Sequence, residues 1–217
     1  MNLALPRGGS VALALALLWA TIAWNALEGI IAIAASVASG SVALLGFGLD
    51  SFIEVGAASV LVWRLGVPDG DPHAERRERA CRRIIGASFL VLAGVVLAQS
   101  AYVTFFGSAP QESGVGLMLA VASLILMPAL ALAKRSNAQA LHSHALIAES
   151  TETFVCSYLS LTLFVGLGAN ALFGWGWADV AAALAMVPWI VKEGIEGIRA
   201  QSCAGDCRLT SAEGAPA

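Results

Sequence analysis

Residues 41–63 read SVALLGFGLDSFIEVGAASVLVW, a run in which, three serines apart, the only polar side chains are Asp50 and Glu54. As an α-helix rising about 1.5 Å per residue, this stretch is long enough to cross a hydrocarbon core of about 30 Å. An ionisable side chain near the bilayer centre costs about 2.5–3.5 kcal/mol, so each one needs a partner or a purpose. Asp50 and Glu54 stand four residues apart, which puts both carboxylates on one helix face. The stretch thus predicts a membrane-spanning helix and a place on it where cation chemistry occurs.

The rest of the chain has the same character: 58% of the 217 residues are hydrophobic and only 12% charged, against roughly 25% charged in a soluble domain. Apolar runs of spanning length recur at 11–37, 41–63, 84–107, 114–133, 145–170 and 177–198. The expected fold is all-α, an integral membrane bundle of six transmembrane helices. It divides into a cytoplasmic N-terminus at 1–10, the bundle at 11–200 and a short polar cytoplasmic tail at 201–217. The first run follows Arg7 as in a signal peptide, but it continues past Glu28 and outlasts a signal h-region, so it reads as an uncleaved helix. Short connections make successive helices antiparallel neighbours.

Charge supports the count. All 12 Lys and Arg residues are expected at the N-terminus, the second and fourth connections, the C-terminus, or a helix end facing that side: Arg7, Arg64, Arg76, Arg77, Arg79, Arg82, Arg83, Lys134, Arg135, Lys192, Arg199 and Arg208. By the positive-inside rule both termini are then cytoplasmic. The basic run from Glu75 to Arg83 reads as a topology anchor on a solvated loop, and no nucleic-acid partner is expected. Trp63, Trp175 and Trp177 fall near helix ends, where indoles sit in an interfacial belt. Membrane lipid is the expected surrounding partner, and a multi-pass position in the cell (inner) membrane, if bacterial, the expected location.

The acids inside the spans carry the functional signal. Glu28 lies in the first, Asp50 and Glu54 in the second, and Glu149 and Glu152 near the start of the fifth, with no Lys or Arg expected deep in any span. Buried carboxylates without a counter-charge must hold protons, bind cations or exchange the two. Glu149 and Thr153 repeat the four-residue step of Asp50 and Glu54. If the two faces meet, four oxygen ligands surround one point, which suits a divalent cation. Such a cluster holds protons when empty and releases them on metal entry, the physical basis of metal/proton exchange.

Asp50, Glu54, Glu149 and Thr153 are therefore the expected metal ligands, with Glu28 and Glu152 as candidate outer partners. Asp179 reads as an interfacial charge favoured by the N-terminal dipole of its own helix. His142 and His144, two apart, do not share a helix face and read as interfacial. Cys81 and Cys156 are scattered, and Cys203 with Cys207 forms a weaker candidate metal clip in the tail. No resident cofactor is expected; the ion is cargo, of the Zn, Mn, Fe or Co class.

Asp50-Ser51-Phe52-Ile53-Glu54 on the second helix, paired with Glu149-x-x-x-Thr153 on the fifth, resembles the cation diffusion facilitator family. The phrases at 41–50, 145–149 and 177–179 resemble its membrane domain too, over about residues 15–200. The resemblance implies a secondary transporter whose site lies between helices 2 and 5, in the manner of the short members without a cytoplasmic C-terminal domain. Thr153 stands where the family usually has aspartate and Glu149 where zinc carriers often have histidine, which leaves an all-oxygen site. The absent domain commonly holds the dimer, so a homodimer is left open. No Gly-x-Ser-x-Gly or His-Glu-x-x-His motif occurs, and no enzymatic activity is expected. The expectation is a divalent metal cation transporter working by metal/proton antiport in the efflux direction. The alternative is a non-transporting metal-binding or sensor protein on the same bundle.

Overall fold

The computed structural model describes residues 11–65, 74–106, 111–141 and 144–199. The N-terminal segment 1–10, His142 and the tail with Cys203 and Cys207 lie outside the described residues. Six helices follow in order: α1 (Val11–Ser39), α2 (Val42–Leu65), α3 (Ala74–Phe106), α4 (Gly114–Ala140), α5 (His144–Phe173) and α6 (Gly176–Arg199). Five of them, α1 to α5, are long and apolar enough to cross a membrane.

Two glycines set the tight connections. Gly40 (φ 73°) and Gly174 (φ 67°) adopt left-handed backbone just past the ends of α1 and α5. Each donates its N–H to the carbonyl four residues back, Gly40 to Ser36 at 2.7 Å and Gly174 to Asn170 at 2.8 Å. This is the αL cap, which a side chain would strain, and it turns the chain back within a few residues. Ser113 opens α4 by accepting the Gly116 N–H at 3.1 Å, a serine N-cap.

The helices sort into two groups. α1, α2, α5 and α4 pack in a closed ring of neighbours, while α3 and α6 pack against each other and lean together on α2, with α6 also touching α5. The outside of the bundle is apolar: Trp19, Ile30, Phe106, Met118, Ile125, Val165 and Leu172 are all exposed. Its inside sets polar side chains within an apolar core, burying Thr21, Asn25, Glu28, Asp50, Glu54, Ser123, Lys134, Glu149, Thr153 and Asp179. That inversion is unfavourable in water and natural in lipid, where apolar side chains face the solvent and polar ones find partners inside.

Two expectations change here. α4 does not stop at residue 133 but runs to Ala140, which carries Lys134 off the expected loop and into the bundle. Asp179, expected as an interfacial charge serving its own helix, is 0% exposed. Its carboxylate serves another helix, accepting the Ser41 hydroxyl and the α2 N–H groups of Val42 at 2.8 Å and Ala43 at 3.4 Å. The Ser41 hydroxyl oxygen in turn accepts the Leu44 N–H at 3.0 Å. Together they satisfy donors that a helix start leaves orphaned, with a negative group at the positive dipole end.

At the same end, the Gln111 N–H donates to the Ser39 carbonyl at 2.8 Å, tying the start of α4 to the end of α1. Asp179→Ala should cost about 1–3 kcal/mol, the loss of a buried, charge-assisted cap. Asp179→Asn, which keeps an acceptor, should cost less. Thermal unfolding in detergent orders the two, and an Asp179→Ala protein as stable as the wild type would mean that the cap contributes nothing to the fold.

Candidate cation site

Each helix of the four-membered ring turns one narrow stripe inward at spacings of three and four. On α1 the stripe is Ala14, Leu18, Thr21, Asn25, Glu28 and Ala32; on α2 it is Phe47, Ser51, Glu54, Ala58 and Leu61, with Asp50 alongside. α4 contributes Ala120, Ser123, Met127, Ala131, Lys134 and Ala138, and α5 contributes Glu149, Thr153, Cys156, Ser160 and Leu163. The helical period therefore brings Glu28, Glu54 and Glu149 to the interior of the ring.

The centre of the arrangement is Lys134, 0% exposed. Its ammonium donates to Glu149 Oε1 at 2.6 Å and to Thr153 Oγ1 at 2.8 Å. The Thr153 hydroxyl lies 3.0 Å from Glu54 Oε1, to which it can donate, and 3.2 Å from the Glu149 carbonyl. Three helices thus meet in one chain of contacts, from Lys134 on α4 through Glu149 and Thr153 on α5 to Glu54 on α2. The expectation that no basic residue lies within the spans is corrected: Glu149 has a counter-charge in Lys134, and Glu54 is linked to that pair through the Thr153 hydroxyl. An ammonium–carboxylate pair of this kind is tolerated in a low-dielectric interior because the attraction between the charges and their hydrogen bonds offset the cost of taking both out of water.

Both carboxylates nevertheless keep spare capacity. Glu54 Oε2 and Glu149 Oε2 are buried with no hydrogen-bond partner, as is Asn25 Oδ1. Among the described residues, no three His, Cys, Asp or Glu side chains stand together as a ready-made metal cluster.

The remaining acids take different places. Glu28 is held on both oxygens: Trp24 Nε1 donates to Oε1 at 3.3 Å and the Ser51 hydroxyl to Oε2 at 3.0 Å. Trp24 Nε1 also lies 3.3 Å from Ser123 Oγ, which links the group to α4. Asp50, buried, lies in the field of Glu54, Glu28, Glu152 and Glu193, all of its own sign. Glu152 does not join the Lys134 contacts but lines a cavity of about 260 Å³ between α2, α3, α5 and α6. Arg64, Lys192, Glu193 and Glu196 share that lining, and Glu149 forms part of it. The cavity therefore lies at the basic end of the bundle, opposite the Asp179 cap, and reaches the Lys134 contacts through Glu149.

Two residues of the site escaped sequence reading. Lys134 follows Ala131-Leu132-Ala133 and precedes Arg135, which looks like the basic flank of a span. The signal that could have found it is the stripe Met127, Ala131, Lys134, Ala138, which continues the inward face without a break. Cys156 is buried beside Glu54 and within the fields of Glu28 and Asp50. It sits three residues beyond Thr153, the spacing that would have placed it on the same face.

No protein-family model matches this chain, and no curated protein matches it either.

Proposed function

We propose that the chain is a secondary transporter that moves a divalent metal cation across the membrane, in exchange for protons, through the carboxylates between α2 and α5. One observation carries the reading. Glu54 and Glu149, on facing helices, each hold an unpartnered buried oxygen, and Glu149 also lines the cavity at the basic end. Buried, unsatisfied carboxylate oxygens are costly to keep, and a cation is the ligand that satisfies them. Asp50 adds negative potential from the same face of α2, and the donors are hard oxygens suited to ions of the Mn, Fe, Co or Zn class. The resemblance of the paired motifs to cation diffusion facilitators points the same way.

In this reading α6 is the sixth span. Its charges gather at the ends, Asp179 in the first turn and Lys192, Glu193, Glu196 and Arg199 in the last two, leaving Val180 to Val191 apolar. Both termini then lie on the basic, cytoplasmic side. The cavity is the cytoplasmic approach to the site, and the Asp179 cap closes the opposite end.

The test is uptake into proteoliposomes holding the full-length chain and a trapped pH dye, offered Zn, Mn, Fe, Co, Ni and Cd in turn. At least one metal should enter with proton movement in the opposite direction. No uptake of any metal by correctly inserted protein would end the transport reading. Lys134 favours one second reading, a bundle whose site is filled by its own ammonium and which binds without turnover; metal binding without flux would select it.

A further inference from the structure

Resting on that transport reading, we propose that Lys134 is a built-in competitor of the transported ion, its ammonium occupying the cation position until a divalent metal displaces it, so that this residue sets the valence selectivity. The ammonium takes the oxygens a metal would need. It lies 2.6 Å from Glu149 Oε1 and 2.8 Å from Thr153 Oγ1, with Thr153 bridging at 3.0 Å to Glu54. A metal bound by the same oxygens would stand at about 2.0–2.6 Å from them. The two positive charges cannot share that space, so loading and the Lys134 contacts exclude each other.

A tethered competitor acts at a fixed, high local concentration. A monovalent ion brings no more charge than the ammonium it must replace, and gains little by entering. A divalent ion brings twice the charge to Glu54 and Glu149 and can also engage their two spare oxygens. Lys134 therefore filters by charge before any preference of size or softness applies. The site needs no second carboxylate at Thr153 to hold its empty state together, since the hydroxyl bridges ammonium to Glu54.

The experiment compares full-length wild type with Lys134→Met and Lys134→Arg in detergent, titrated with MnCl2 and with ZnCl2, with and without excess NaCl, alongside uptake by the wild type. Lys134→Met, uncharged and of similar length, should bind at least one of the two metals at least about tenfold more tightly, reflecting removal of the tethered competitor, and should become sensitive to Na+. Lys134→Arg, which keeps a cation in place, should bind no more tightly than wild type. Unchanged or weaker binding by folded Lys134→Met, with wild-type uptake intact, overturns the competitor role and leaves the transport reading standing. Failure of both wild type and Lys134→Met to bind either metal, with no wild-type uptake, overturns both.

Should Lys134→Met not fold, the wild-type chain decides. It has two lysines, Lys134 and Lys192, and Lys192 is 52% exposed at its side chain. Amine acylation read by mass spectrometry should rise at Lys134 relative to Lys192 when either saturating metal salt is added. An unchanged ratio overturns the proposal.

Discussion

Glu149→Ala is expected to destabilise the bundle by about 3–5 kcal/mol and to abolish metal uptake, the largest combined effect of any single substitution in the ring. The cost arises because removing one partner strands the other: the Lys134 ammonium stays buried and loses the one carboxylate that it contacts among the described residues. A stranded buried charge is far more costly than a lost surface pair, whose value is usually below about 1 kcal/mol. Lys192 and Glu196, an exposed i, i+4 pair at 3.8 Å, give that internal comparison. The check is a thermal or denaturant melt in detergent of Glu149→Ala beside Glu196→Ala. A loss at Glu149 no greater than at Glu196 would show that the Lys134 contact contributes little to the fold.

The same contact marks where the sequence stopped being informative. Helix number, order and approximate position were legible, because length and hydropathy are local properties set by the thickness of the bilayer. That Asp50 and Glu54 share one face of α2, and Glu149 and Thr153 one face of α5, was legible as well, since i, i+4 spacing fixes the face within each helix, whereas the meeting of the two faces stood only as a condition. Which way a basic residue near a helix end turns is not local. Lys134 could have extended to the headgroups, as long basic side chains commonly do, and only the packing of α4 on α5 turns it inward. Arg135, one position on, is exposed, and the 100° rotation between successive residues accounts for the difference.

Asp179 teaches the converse lesson. Its place in the first turn of α6 made a dipole role for its own helix the natural reading. The structure shows a dipole role for α2 instead, because the tight turns at Gly40 and Gly174 bring both helix starts to one end of the bundle. A short carboxylate there can reach across to a neighbour's free N–H groups as readily as to its own. Pair spacing along one helix was readable, whereas contacts between helices depended on turns whose geometry the sequence marks only by glycine.

Asp50→Asn should separate function from stability. The substitution keeps size and shape and removes a carboxylate whose charge is opposed first by its burial and then by Glu54, Glu28, Glu152 and Glu193. Unlike Glu149, Asp50 holds no ammonium among the described residues, so no described charge is stranded when its own goes. The fold should be unchanged or stabilised by up to about 2 kcal/mol, as expected when like-charge repulsion and the burial of a carboxylate are relieved together. Metal loading should move the other way, since the ion loses a negative partner on the α2 face. A loss of about 3 kcal/mol in binding would lower affinity roughly a hundredfold. Melting temperature and metal uptake measured on the same preparation provide the check. Wild-type uptake from Asp50→Asn across the metal panel would make Asp50 a structural polar residue and confine the cation site to Glu54, Glu149 and Thr153. A fall in both stability and uptake would mean that Asp50 holds the helices together rather than holding the ion.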